Sequence, residues 1–155
     1  KLAMPRTILA GFIEGPLKWA GPSAAVVATE AEARAWVARY DSLGYKQIKL
    51  YNVLHPDLVP TIAQEAHKRG MKITGHLCSV TYREAIAAGI DDLEHGFMAA
   101  TDFVKDKKAD ECPGQGTGQA SIAALSPDDD TGPAAAGAAL GAGPAGMPRS
   151  LFPRR

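Results

Sequence analysis

The sequence predicts an α/β protein built on parallel strands, and three observations carry that reading. Short β-rich runs alternate with amphipathic stretches between residues 7 and 108. Two of the stretches open on a Thr-x-x-Glu capping box, Thr29 with Glu32 and Thr81 with Glu84. A glycine closes each of the first three helices: Gly44, Gly70 and Gly89. The resulting β-α-β-α-β-α-β-α pattern with short loops implies parallel strands and right-handed crossovers. Either an open doubly wound sheet or a piece of a (β/α)8 barrel satisfies it.

The elements follow in order. Residues 7–14 are apolar with one glycine and read as a buried strand. The first helix puts Ala33, Trp36, Val37 and Tyr40 on one face. Residues 46–51 (KQIKLY) are short and β-rich, a second strand. Pro56 suits the first turn of a second helix, where a missing N–H costs nothing. Val59, Ile62, Ala63 and Ala66 form its apolar face, and Lys68 and Arg69 complement the dipole at its end. Residues 71–76 (MKITGH) are a third strand and residues 90–95 (IDDLEH) a fourth, with the second capping box between them. A last helix is expected over residues 99–108. No G-x-G-x-x-G and no P-loop motif occurs, so the dinucleotide and nucleotide readings lose their main support.

Composition narrows the function. Lys plus Arg number 17 and Asp plus Glu 17, a net charge of zero. A nucleic-acid binder would show a basic excess, and a polybasic membrane surface would do the same. No run approaches the roughly 18 apolar residues of a membrane helix. Two cysteines, Cys78 and Cys112, are too few for a disulfide scaffold and form no C-x-x-C pair. The chain starts at Lys1 with no initiator methionine and no visible signal peptide, which leaves its compartment open.

Composition changes near Cys112. Residues 113–155 hold eight of the 16 glycines and six of the 11 prolines. With few large apolar side chains to bury, disorder is expected there. The segment reads as a flexible linker, as out-of-frame translation of GC-rich DNA, or as a functional low-complexity tail. Two regions are therefore expected, residues 1–112 and residues 113–155.

Three chemically capable residues sit at or near successive strand ends: Lys49, His76 and His95. In parallel α/β folds the C-terminal strand ends form the functional face. Two imidazoles there could hold a divalent ion through neutral nitrogens. A lysine ammonium cannot ligate, but its carbamate could bridge two metals. The plainer alternative is an edge lysine and two hydrogen-bonded interior histidines. Lys49, however, is flanked by Ile48 and Leu50, and a buried lysine wants a purpose. His55, before a proline, and His67, in a last helical turn, read as ordinary residues. Cys78 could line the same mouth but reads as a half-buried structural thiol. Glu94 precedes His95 and should point to the opposite face, a supporting group rather than a ligand. Asp91 and Asp92 begin that strand, at the far end from the mouth.

YKQIKLY around Lys49, AHKRGMKITGH up to His76 and AAGIDDLEHG around His95, in this order and at this spacing, resemble the amidohydrolase superfamily. The similarity is to its imidazolonepropionase-like and prolidase-like branch, over roughly residues 1–112. The resemblance implies a partial (β/α)8 TIM barrel of about four βα units. It implies a metal-dependent hydrolase of amide, ester or related bonds acting on a small-molecule substrate. It implies Lys49 as a carbamylated bridging ligand and His76 and His95 as ligands of the second metal. The expected cofactor is a divalent metal, zinc first, with one or two ions in the parent enzyme. The chain departs from the family in two ways. It contains no H-x-H pair, and its only downstream acidic cluster, Asp128 to Asp130, lies in a Gly/Pro-rich stretch. No catalytic aspartate is assigned. This chain is thus expected to be an incomplete piece of such a hydrolase, prone to self-association.

Two other readings compete. A Schiff-base barrel would use Lys49 as nucleophile with His76 and His95 as acid and base. An inactive truncated product or a binding module would use none of them catalytically.

Overall fold

The computed structural model describes residues 5–16 and 24–113. Within them lie five strands and three α-helices: β1 (Ala10–Glu14), β2 (Ala25–Val26), α1 (Glu30–Ser42), β3 (Gln47–Leu50), α2 (Leu58–Lys68), β4 (Lys72–Gly75), α3 (Tyr82–Ala88) and β5 (Asp92–Leu93). A short 3-10 turn, Gly96–Ala99, follows. All strand pairs are parallel, in the order β2-β1-β3-β4-β5. From β1 the chain passes to β2 on one side; α1 then crosses to β3 on the other side of β1, and α2 and α3 add β4 and β5 beyond it. Of the tail expected to be disordered, residues 113–155, all but Pro113 lies outside the described residues.

Local chemistry explains most of these elements. Both capping boxes are formed: Glu32 N donates to Thr29 Oγ1 at 3.2 Å while Thr29 N donates to Glu32 Oε2 at 3.0 Å. The Thr81 and Glu84 pair repeats this, with Thr81 N to Glu84 Oε2 at 2.8 Å. Gly89 adopts φ 95° at the end of α3, a left-handed conformation that a Cβ disfavours. One helix start differs from expectation. Pro56 lies in the turn ahead of α2, and it is Pro60 that occupies the helix's first turn. There too no intrahelical N–H bond is forfeited.

The core lies between the sheet and its helices. Ile13, Ile48, Leu50 and Ile73 from the strands are fully buried with Val37 of α1, Ile62 and Ala66 of α2, and Ala85 of α3. Helix α1 packs on α2, and α2 on α3. Burying each large aliphatic side chain contributes about 1.5–3 kcal/mol, and along β3 the buried positions alternate as the pleat requires.

Three expectations fail. Residues 99–108 do not form an α-helix; after the 3-10 turn they run as successive turns. Asp106 and Asp110 have φ 56° and 64°, incompatible with a right-handed helix. The segment's polar groups are also drawn outward to the β4–α3 loop and α3. Thr101 Oγ1 donates to Cys78 O at 3.0 Å, and Lys107 Nζ to Ser79 O at 2.8 Å. Asp102 accepts from Tyr82 N and Arg83 N at 2.9 and 3.0 Å. Second, Cys78 is not a free thiol: it is disulfide-bonded to Cys112, with Cα atoms 4.8 Å apart. Third, β2 was not foreseen, because Ala25 and Val26 carry too little pattern to stand out. Among the described residues no helix is long and apolar enough to cross a membrane.

Candidate functional site

Side chains alternate between faces along a strand. With Ile13, Ile48, Leu50 and Ile73 turned into the helical layer, the residues between them belong to the other face. Register aligns Phe12 with Lys49, Lys49 with Thr74, and Thr74 with Asp92 in one row. At or just beyond the strand ends Glu14, Tyr51, His76 and Glu94 continue the same face. Phe12 packs on Tyr51 with ring centroids 4.9 Å apart, Tyr51 on His76 at 5.1 Å, and His76 on His95 at 4.6 Å.

The three strand-end residues singled out in the sequence occupy this region, but not quite as expected. Lys49 lies within β3, and His76 sits one residue past β4. His95 sits two residues past β5, which ends at Leu93. Its φ is 66°, a left-handed conformation that costs a non-glycine residue about 1–2 kcal/mol. The turn redirects the imidazole, which strict alternation would have left on Leu93's side, and sets it edge-on to His76.

Glu94 overturns an expectation. It does not point away from the site: Lys49 Nζ donates to Glu94 Oε2 at 2.5 Å. The Thr74 hydroxyl lies 3.2 Å from Glu94 Oε1 and 3.4 Å from Asp92 Oδ2, and donates to one at a time. Asp92 and Glu94 share a face by the strand's period of two, and the break in alternation falls at His95 instead. Burial works against the Glu94 charge. The Lys49 bond and charge, the Thr74 hydroxyl and nearby His95 outweigh it and hold the carboxyl below its ordinary range. At His76 burial, then the neighbouring His95 and Lys49, disfavour the imidazolium, while Glu94 opposes them; the net shift is downward. A neutral imidazole is the form that ligates metal.

Two more residues belong here that sequence reasoning passed over. Glu14, at the end of β1, is only 4% exposed. Its Oε1 accepts from Gly15 N at 3.1 Å and Val53 N at 2.9 Å, yet burial still pushes its carboxyl up. Its place at the end of an apolar run was the available signal. Tyr82, the first residue of α3, sends its hydroxyl to the carbonyls of Glu94 and Gly96, at 2.8 and 2.6 Å. Burial, then the charges of Asp102 and Glu94, push this phenol up to about 12, so it remains a donor at neutral pH. Nothing local in the sequence marks it.

The remaining titratable candidates lie elsewhere. Asp57 N donates to His55 Nδ1 at 3.3 Å, which leaves Nε2–H to face Asp110 Oδ2 at 3.1 Å. His67 Nε2 is 2.9 Å from Asp91 Oδ2 at the opposite, N-terminal end of the sheet. Cys78 is consumed by its disulfide. Asp128 to Asp130 lie outside the described residues.

The donor set suits a metal in kind but not in number. His76 and His95 offer two imidazoles, while Lys49 is engaged with Glu94. Among the described residues no group of three or more His, Cys, Asp or Glu side chains is placed to hold a metal ion. A catalytic zinc takes three protein ligands and a water.

No protein-family model matches the chain, and no curated protein does. Among solved structures it is similar to the crystal structure of a candidate prolidase from Bifidobacterium longum. The match has a TM-score of 0.54 and 24% identity over 63% of this chain. At that identity the likeness is one of fold. The chain spans about a quarter of that protein, 27% of its length.

Proposed function

We propose that this chain is a portion of a metal-dependent amidohydrolase barrel that cleaves amide bonds of a small-molecule substrate. One observation carries the reading. Successive parallel strands β3, β4 and β5 bring Lys49, His76 and His95 to one end of one sheet face. The prolidase-like fold supports it.

In this reading His76 and His95 hold a divalent ion, zinc first, through neutral nitrogens, and Lys49 joins them as a carbamate. Such an ion lowers the pKa of a bound water toward neutrality and polarises a carbonyl. The protein's own contributions are electrostatic and positional. Burial keeps His76 unprotonated and available. Phe12 and Tyr51 wall one side of the site with aromatic surface. Lys49 Nζ is paired with Glu94 in the state described, so carbamylation requires that this pair separate first. The pair also engages the amine that the Schiff-base alternative needs free to attack a carbonyl.

The test is metal stoichiometry and carbamate formation in the purified chain. After incubation with zinc and 13C-bicarbonate, bound zinc is measured by elemental analysis and the carbamate carbon by NMR. Zinc binding abolished in His76→Ala and His95→Ala, with a carbamate signal absent from Lys49→Ala, supports the proposal. Zinc retained by the double histidine variant sinks it.

A further inference from the structure

We propose that Tyr82 is a positioning residue for His95, setting the imidazole against His76 by gripping the backbone on both sides of it. The proposal deepens the reading of His76 and His95 as ligands and rests on it. The Tyr82 side chain is 2% exposed, and its hydroxyl lies 2.8 Å from Glu94 O and 2.6 Å from Gly96 O. Those two carbonyls bracket His95. The hydroxyl has one proton, shared between two acceptors that the turn brings to a single point.

The turn needs such a clamp. The sheet ladder's last bond on this strand is Glu94 N to Gly75 O at 2.9 Å. Directly after it, His95 and Gly96 take φ 66° and 56°, two left-handed residues in succession. A histidine relaxes out of that region when nothing holds it. Relaxation would return residue 95 to an extended backbone and swing its ring away from His76.

Tyr82 is itself anchored. Its N–H donates to Asp102 Oδ2 at 2.9 Å, and Thr81 beside it closes the capping box. Asp102 follows Thr101, whose hydroxyl donates to Cys78 O at 3.0 Å. The hydroxyl is therefore held by helix α3 and by the strap that the Cys78–Cys112 disulfide closes. A buried tyrosine hydroxyl needs some acceptor; here the acceptors are the two peptide groups that decide where a candidate ligand points.

The experiment compares Tyr82→Phe with wild type and with Tyr40→Phe, in the full 155-residue chain. Tyr40 is a matched control: it is buried, and its hydroxyl donates to the Phe12 carbonyl at 2.9 Å, away from the histidines. Two quantities are read. One is the nuclear Overhauser effect between the His76 and His95 ring protons, without metal. The other is zinc affinity by competition with a chromophoric chelator. Tyr82→Phe should abolish the Overhauser effect and weaken zinc binding about 10-fold or more, as removal of a group that orients a ligand does. Tyr40→Phe should leave both unchanged. If Tyr82→Phe does not fold, Asp102→Ala, which loosens the anchor but keeps the hydroxyl, should weaken the Overhauser effect in the same direction. An Overhauser effect that survives Tyr82→Phe, or disappears equally in Tyr40→Phe, overturns the proposal. If the two rings separate only in Tyr82→Phe, in a protein that binds no zinc, the clamp is upheld and the metal reading alone is defeated.

Discussion

Reducing the Cys78–Cys112 bond should cost this protein a large part of its stability. The bond joins residues 34 positions apart. In the chain-entropy treatment, closing a loop of that length removes about 12.6 cal/mol/K from the unfolded ensemble, or about 3.8 kcal/mol at 25 °C. Otherwise residues 101–112 are tied to the rest by individual hydrogen bonds, by Asp110 facing His55 and by Phe103 packing on the core. Thr101 bonds to Cys78, Lys107 to Ser79 and Asp102 to the start of α3. Each contributes only about 1 kcal/mol net, and none constrains the unfolded chain. For a domain of about 100 residues the loss corresponds to a fall in Tm of about 15–20 °C. Thermal unfolding followed by circular dichroism, with and without dithiothreitol, measures it, and Cys112→Ser should reproduce the reduced curve. Alkylation and mass spectrometry must show no free thiol before reduction and two after it. Two free thiols in the unreduced protein would remove the premise. A midpoint unmoved by confirmed reduction would refute the loop-closure argument itself.

Asp91 accepts from Lys72 Nζ at 2.7 Å, Ile73 N at 2.9 Å and His67 Nε2 at 2.9 Å. Burial disfavours its charge, but these bonds outweigh burial and hold the carboxyl below its ordinary range. The stability it contributes is therefore present above the unfolded pKa near 4 and lost as pH falls through the lower folded value. Asp91→Asn should cost about 1–2 kcal/mol at pH 7 and flatten the acid side of the stability curve, as read from urea midpoints across pH. Gly89→Ala meets no close neighbour, so its cost should be the left-handed φ alone, about 1 kcal/mol by the same urea titration; a cost above about 3 kcal/mol would mean a clash that the structure does not contain. On the proposed reading, the purified chain should not hydrolyse dipeptides, lactones or aryl esters with added zinc and bicarbonate, because its sequence holds no H-x-H pair of the kind the amidohydrolase resemblance implies. Turnover abolished by Lys49→Ala and by chelation would contradict this.

The sequence by itself determined the elements whose causes are local. Thr29 and Glu32, Thr81 and Glu84, and the glycines at 44, 70 and 89 act over three or four residues, and the structure realises each of them. The alternation of buried residues along β3 is equally local, and the βα spacing put Lys49 and His76 at adjacent strands before any contact was known. What only the tertiary structure decided are the features that couple distant residues. Lys49 meets Glu94 across 45 positions, Cys78 meets Cys112 across 34, and residues 99–108 give up a helix to bond with the β4–α3 loop and α3. The sharpest case is His95. A period of two places Glu94 and His95 on opposite faces, and that inference is sound for a continuing strand. Here the strand stops at Leu93, and the Tyr82 hydroxyl, 13 residues earlier in the chain, accompanies a left-handed turn that brings His95 to His76 while leaving Glu94 with Lys49. Such a turn is decided by what waits at its far side, and no spacing within the strand encodes it.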